Sequence, residues 1–273
     1  MYKRIIPRID IKNNTLVKGI SLEGLRVLGD PLNFIRKYYE DSADEFLIID
    51  VVASLYGRQT IDNVINNCAK DVFVTINTGG GLRNIEDIDR MLSIGSDKVS
   101  LNSAAIKRPE FIRESVDKFG SSTISILIET NKIDGEYFAF YESGREKSKK
   151  KLFDWILEVQ DMGAGEIVVI DIKNEGRQNG FDINLFEKIR KIVSVPLVAS
   201  GGAGRIDDIS EIFLECDVDG VCLASLLHYS NIEKVKDTKN KGNYNFIHNH
   251  EKRLNFSIKD IKKRLKEKNI RVR

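Results

Sequence analysis

Two stretches decide the fold: TGGGLRNIEDIDRMLSIGSDKVSLNSAA at residues 78–105 and SGGAGRIDDISEIFLECDVDGVCLASLL at residues 200–227. Aligned on their glycines, they give the same parts in the same order. A Gly-rich turn leads into an amphipathic run of helix length, then a short strand, then a small polar end. Their flanks agree as well, because DEFLIIDV (44–51) matches GEIVVIDI (165–172) and the strand ending at Asp10 matches the one ending at Glu129. The offset of about 120 residues is far longer than a solenoid period of 20–50 residues, so half a fold has been duplicated.

Working outward, β-rich runs fall at 5–10, 46–51, 72–77, 98–101, 124–129, 167–172, 196–200 and 220–224. Between them lie segments such as NIEDIDRMLSIG (84–95) and RIDDISEIFLEC (205–216), whose apolar residues recur every three or four positions, as an outer helix requires. Alternating strands and helices mean a parallel sheet. Eight of them in 273 residues fit the roughly 250 residues of a closed α/β barrel. The expected fold is therefore an α/β (β/α)8 TIM barrel built from two (β/α)4 half-barrels, about 1–120 and 121–230, in a single domain covering 1–273. Two segments stand outside the pattern. YESGREKSKKK (141–151), after the hairpin-like KIDGEYFAF, reads as a solvated loop. A polar insert at 231–256 precedes a C-terminal helix at 257–269. His248 and His250 lie in that insert with nothing nearby to complete a ligand set, so no metal is expected.

Composition narrows the classes. With 41% hydrophobic and 31% charged residues, and no run near the ~20 apolar residues of a membrane span, membrane spanning is excluded. The start, MYKRIIPRID, enters a strand without a secretory signal, so a cytoplasmic location is expected. Cys68, Cys216 and Cys222 make an odd set without CxxC spacing and read as buried thiols. A formal net charge of +2 gives nucleic-acid binding no support.

In such a barrel the chemistry sits at the C-terminal ends of the strands, which selects Asp10, Asp50, Asn77, Asn102, Glu129, Asp171, Ser200 and Ser225. Backbone N–H groups in a Gly-rich turn can approach an anion closely. Two phosphate seats across one mouth are thus expected, one from Gly80, Gly81, Asn102 and Ser103, the other from Ser200, Gly201, Gly202, Ala224 and Ser225. Asp10 and Glu129 would face each other between them as an acid–base pair. The plain alternatives are that the glycines only make tight turns and that the carboxylates pair with Lys12 or Lys18. No cofactor is expected.

KRIIPRIDIK, LVKG, GDP, TGGGLRNIEDIDRML, SDKVSLNSAA, KFGS, DGE, GAGEI, ASGGAG and ASLLH resemble, in order and over nearly the whole chain, the cyclase subunit of imidazole glycerol phosphate synthase, HisF. The resemblance implies a glutaminase partner of the HisH type docked on the N-terminal face of the barrel, with ammonia passing through the barrel core. It implies catalytic roles for Asp10 and Glu129, and a charged ring closing the barrel bottom, matched here by Arg4, Glu45, Lys98 and Glu166. The departures cluster around the substrate. Glu129 and Glu175 stand where the family has Asp, Arg8 stands where it has Cys, and Arg177–Gln178 replaces a small hydroxyl and a Lys. That pattern resembles the branch associated with surface-sugar biosynthesis. The leading expectation is therefore an ammonia-channelling subunit that amidinates a nucleotide-linked or acidic sugar. The alternatives are the authentic cyclase of histidine biosynthesis, and a barrel that only activates its glutaminase.

Overall fold

The computed structural model describes residues 2–53, 61–232, 235 and 256–273. Eight parallel strands close on themselves. They are β1 (Arg4–Lys12), β4 (Glu45–Asp50), β5 (Thr75–Gly79), β6 (Lys98–Leu101), β7 (Ile124–Ile133), β10 (Glu166–Asp171), β11 (Leu197–Ser200) and β12 (Gly220–Leu223). The ring is completed where β12 pairs with β1, Arg4 opposite Gly220 and Pro7 opposite Leu223. The two halves meet again at β6–β7. This is the expected (β/α)8 barrel.

Helices lie outside it: α1 (Pro31–Glu40), α2 (Asp62–Asp71), α3 (Ile85–Ser93), α4 (Ser103–Lys107), α5 (Glu110–Phe119), α6 (Leu152–Asp161), α7 (Ile183–Arg190), α8 (Ile206–Cys216), α9 (Ser225–Asn231) and α10 (Ile258–Glu267). Their starts are chemically marked. Asn84 accepts from the Asp87 N–H before α3, and Ser257 and Asp260 form a capping box before α10. No helix among the described residues is long and apolar enough to cross a membrane.

Strand alternation sorts the core into two populations. Ile5, Ile9, Phe46, Ile48, Ile126, Ile128, Ile167 and Val169 face the helices. Ile6, Leu47, Ile49, Leu127, Val168, Ile170, Val198 and Cys222 fill the barrel interior.

Four expectations need correction. Residues 72–74 belong to the turn leaving α2, because the Val72 N–H still bonds the Cys68 carbonyl; the third barrel strand starts at Thr75 and runs on to Gly79. Asn77 consequently sits inside the barrel, bonded by Ser100 at 2.8 Å, instead of at the mouth. The charged segment 141–151 is no loop throughout: Glu146–Lys151 forms β9, pairing with β8 (Glu136–Tyr141) in a meander that extends β7. Lys147 lies over the Phe138 ring, which shows how a lysine-rich sequence can hold an edge strand. Finally, an antiparallel hairpin, β2 (Thr15–Ile20) and β3 (Glu23–Gly29), follows β1 and went unread in the sequence.

The two hairpins cross the mouth reciprocally. The first half's hairpin reaches the segment after β10, where the Ser21 N–H donates to the Glu175 carbonyl at 2.8 Å. The turn leaving β8 reaches the first half, where the Glu142 N–H donates to Ser103 Oγ at 3.0 Å and Ser143 Oγ to the Val51 carbonyl at 2.8 Å. They meet through Leu22, Phe140 and Ile172.

Backbone approach is closest where β10 starts. A Cβ on Gly165 would lie 2.0 Å from the Ser121 carbonyl oxygen. Gly165→Ala is expected to destabilise the barrel by about 2–4 kcal/mol, read as a lowered urea midpoint; an unchanged midpoint would refute this account of the turn.

Candidate active site

A cavity of about 380 Å³ opens at the mouth, within the size range of small-molecule sites. Gly80, Gly81, Asn102, Ser103, Asp50 and Glu129 line it, with Arg83, Lys107 and Arg108 contributing cationic side chains. Gly80 has φ 101°, and a Cβ there would come 2.3 Å from the Asp50 carbonyl oxygen. Only glycine lets this turn fold against the neighbouring strand end. The strand-end rule does not select the three cations, because it picks side chains at strand ends, whereas Arg83 stands on a turn, Lys107 ends helix α4 and Arg108 follows it.

Glu129 brings a buried carboxyl to the cavity. It is 4% exposed, and its Oε2 accepts from Asn102 Nδ2 at 2.9 Å and from the Gly144 N–H at 2.9 Å. Burial pushes its carboxyl up to about 7, against the Arg8 charge and these two donors, which favour the ionised form. Asn102 therefore holds the carboxylate, in addition to opening the turn. Gly144, in the hairpin segment expected to be mere loop, supplies the second donor.

Asp10 is placed differently. Its Oδ1 accepts from Arg8 Nε at 2.8 Å, both side chains are buried, and Asp10 is not among the residues lining the cavity. The basic partner is thus Arg8, neither Lys12 nor Lys18. Lys18 instead holds Glu175 at 2.5 Å, with Arg8 Nη1 3.9 Å from the same carboxylate. Burial opposes ionisation of Glu175, but Lys18 and Arg8 outweigh it and hold its carboxyl below the usual range.

The second Gly-rich set does not open to the cavity. Ser200, Gly201, Gly202, Ala224 and Ser225 are all buried, and the Gly180 N–H donates to the Gly202 carbonyl at 2.8 Å. Asp50 and Asp171 play matching parts in the two halves. Asp50 Oδ1 accepts from the Val52 and Ala53 N–H groups at 3.0 and 2.9 Å, and Asp171 accepts from the Lys173 N–H at 3.1 Å and Asn174 Nδ2 at 2.6 Å. Each carboxylate closes the turn after its strand.

At the opposite end, Arg4 bridges Glu45 at 2.6 Å and Glu166 at 2.7 Å, and Lys98 reaches the same two carboxylates at 3.6 and 3.4 Å. These four side chains form a closed ring across the barrel floor. Burial and the nearby Glu166 push the Glu45 carboxyl up, and the two cations pull against this. Among the described residues no group of three His, Cys, Asp or Glu could hold a metal ion. His248 and His250 lie outside the described residues.

A (β/α)8 barrel with a glycine-lined, carboxyl-bearing cavity at the strand C-termini has the layout of a barrel enzyme. Residues 4–233 match the family model described as "Histidine biosynthesis protein". The chain is 39% identical over 240 residues to imidazole glycerol phosphate synthase subunit HisF of Natranaerobius thermophilus, covering 88% of this chain and 95% of that protein. It is 42% identical over 234 residues to the subunit of the same name from Campylobacter concisus, covering 86% and 92%. The chain belongs to the HisF family and is an enzyme subunit of that type.

A carboxyl whose folded-state pKa is raised stabilises the fold at low pH and loses that contribution as pH rises through the folded value. For Glu129 the window runs from about 4.5 to 7. Glu129→Gln should remove a pH-dependent loss on the order of 3 kcal/mol. Urea unfolding of both proteins at pH 5 and pH 8 checks this, and parallel profiles would refute it.

Proposed function

We propose that the protein is the ammonia-using cyclase subunit of an imidazole glycerol phosphate synthase. It would form imidazole glycerol phosphate and aminoimidazole carboxamide ribotide from a phosphorylated ribulosyl precursor, with a HisH-like glutaminase at the N-terminal face. The similarity to HisF proteins over 92–97% of their length supports this reading over sugar amidination, which the sequence departures had placed first. The observation that carries the chemistry is Glu129 in the cavity beside Gly80 and Gly81, because a carboxyl that changes protonation near neutrality can both give and take a proton. When ammonia adds to a carbonyl, the departing oxygen needs a proton and the nitrogen must lose one. Asn102 and Gly144 hold one carboxylate oxygen and so fix where the other points.

One observation favours the second reading, an ammonia-dependent amidination of an acidic or nucleotide-linked sugar. Arg8 ties up Asp10, the partner carboxylate on which the cyclase assignment counts. The assay that separates them supplies the ribulosyl precursor with an ammonium salt. Turnover in the ordinary enzyme range of ~1–10³ per second, lost in Glu129→Gln, supports the cyclase. Absence of imidazole glycerol phosphate from correctly folded protein overturns it.

For nitrogen delivery, we propose the ring of Arg4, Glu45, Lys98 and Glu166 as the ammonia entrance. Lys98→Met, which leaves Arg4 to hold both carboxylates, should raise glutamine consumed per product several-fold in the two-subunit complex. Unchanged coupling would make the ring a purely structural layer.

A further inference from the structure

The turn between β8 and β9 is held in a conformation that its own sequence does not favour. Glu142 and Ser143 have φ 53° and 58°, and Gly144 follows at 75°. Two successive non-glycine residues in the left-handed region are costly for L side chains, so contacts outside the turn must keep them there. Its polar restraints reach across from the first half of the barrel. Lys107, at the end of α4, bonds Glu142 Oε1 at 2.5 Å, and its ammonium lies 5.1 Å from the centre of the Tyr141 ring. The Glu142 N–H donates to Ser103 Oγ, and Ser143 Oγ donates to the Val51 carbonyl.

Gly144, the last residue of that left-handed run, touches the chemistry. Its N–H donates to Glu129 Oε2 at 2.9 Å, the same oxygen that Asn102 holds. The other groups around Glu129 sit on or directly after strands: Arg8 and Asp10 on β1, Asn102 after β6, and the apolar Phe140 and Ile170 opposite it on β8 and β10. The Gly144 N–H is the contribution that depends on the turn. Gly144 also packs close to Leu22 and Ile172; were that packing sufficient, the ion pair on the rim would be dispensable.

We propose that Lys107 and Glu142, with Ser103, are positioning residues that strap the 141–144 turn to the rim of the first loop and so keep the Gly144 N–H on the Glu129 carboxylate. This deepens the cyclase reading and rests on Glu129 as the group that moves the proton. The pair can be removed without threatening the fold. Its side chains are 55% and 23% exposed, and exposed ion pairs contribute little to global stability.

The test uses the full chain carrying ¹³C-labelled glutamate side chains, with Glu129→Gln marking the resonance by its disappearance. A carboxyl that loses a donor to its ionised form titrates higher. Lys107→Gln and Glu142→Gln should therefore each raise the Glu129 midpoint by about half a pH unit, with circular dichroism unchanged. Through-space charge alone would move the two variants in opposite directions, because one loses a cation and the other an anion. The exchanged pair Lys107→Glu/Glu142→Lys should restore the wild-type midpoint. With the ribulosyl precursor and an ammonium salt, both single variants should lower kcat several-fold and leave KM nearly unchanged. Midpoints that stay put, move in opposite directions, or are not restored by the exchange would overturn the strap and leave Leu22 and Ile172 to hold Gly144. A raised KM in Lys107→Gln with Glu142→Gln silent would make Lys107 a substrate contact and also overturn it. Should the wild type form no imidazole glycerol phosphate, the cyclase reading falls by itself, and the Glu129 midpoint still decides the strap.

Discussion

Everything at both ends of this barrel follows from the two-residue period of its first strand. Once β1 is closed between β12 and β4, Arg4, Ile6, Arg8 and Asp10 must all point inward. Burying a charge is costly, so each inward charge needs an opposite charge nearby. Arg4 finds Glu45 and Glu166 at the floor, and Arg8 finds Asp10 and Glu175 at the top. Between them lies an apolar layer containing Ile6, Leu47, Leu127, Val168 and Val198. The barrel is thus two charged layers held apart by a packed hydrophobic one.

That stacking sets the chemistry of the mouth. Arginine stays ionised at any pH a protein meets, so Arg8 gives Asp10 a permanent partner. Glu129 has no such contact. Burial favours its neutral form, while Asn102, Gly144 and the Arg8 charge favour the ionised form, and the balance falls near 7. Of two carboxyls that look equivalent in the duplicated sequence, one is held in an ion pair and the other is poised to change state.

How much of this was legible beforehand can be judged residue by residue. The barrel was, because eight apolar runs with intervening helical periodicity admit few other closures, and the glycines of 78–105 and 200–227 mark equivalent turns. The floor ring was anticipated through family resemblance. The hairpin after β1 was not, since LVKGISLEGLRVLG (16–29) is too short and mixed in its alternation to announce strands. Arg8 was noted only as an unusual residue. That it would take Asp10, and leave Lys18 to Glu175, depends on distances across the barrel that spacing along the chain does not encode. Arg83, Lys107 and Arg108 escaped because a rule about strand ends says nothing of the turns and the short helix beyond them.

The duplication also explains why symmetry in sequence need not give symmetry in function. Each half sends a hairpin to the other half: the second half's turn bonds Ser103 and Val51 beside the first loop, and the first half's hairpin bonds the segment after β10, which in turn packs on the second loop. The turn that covers the first loop presents Ser143 and Gly144, small groups that bond at its margin and leave a cavity. The first half's hairpin presents Lys18 and Ser21, which bind the segment from Lys173 to Arg177 at several points. A few side chains on the hairpins and the segment after β10 thus accompany one glycine loop that stays partly exposed and one that is buried, although the two loops match in sequence.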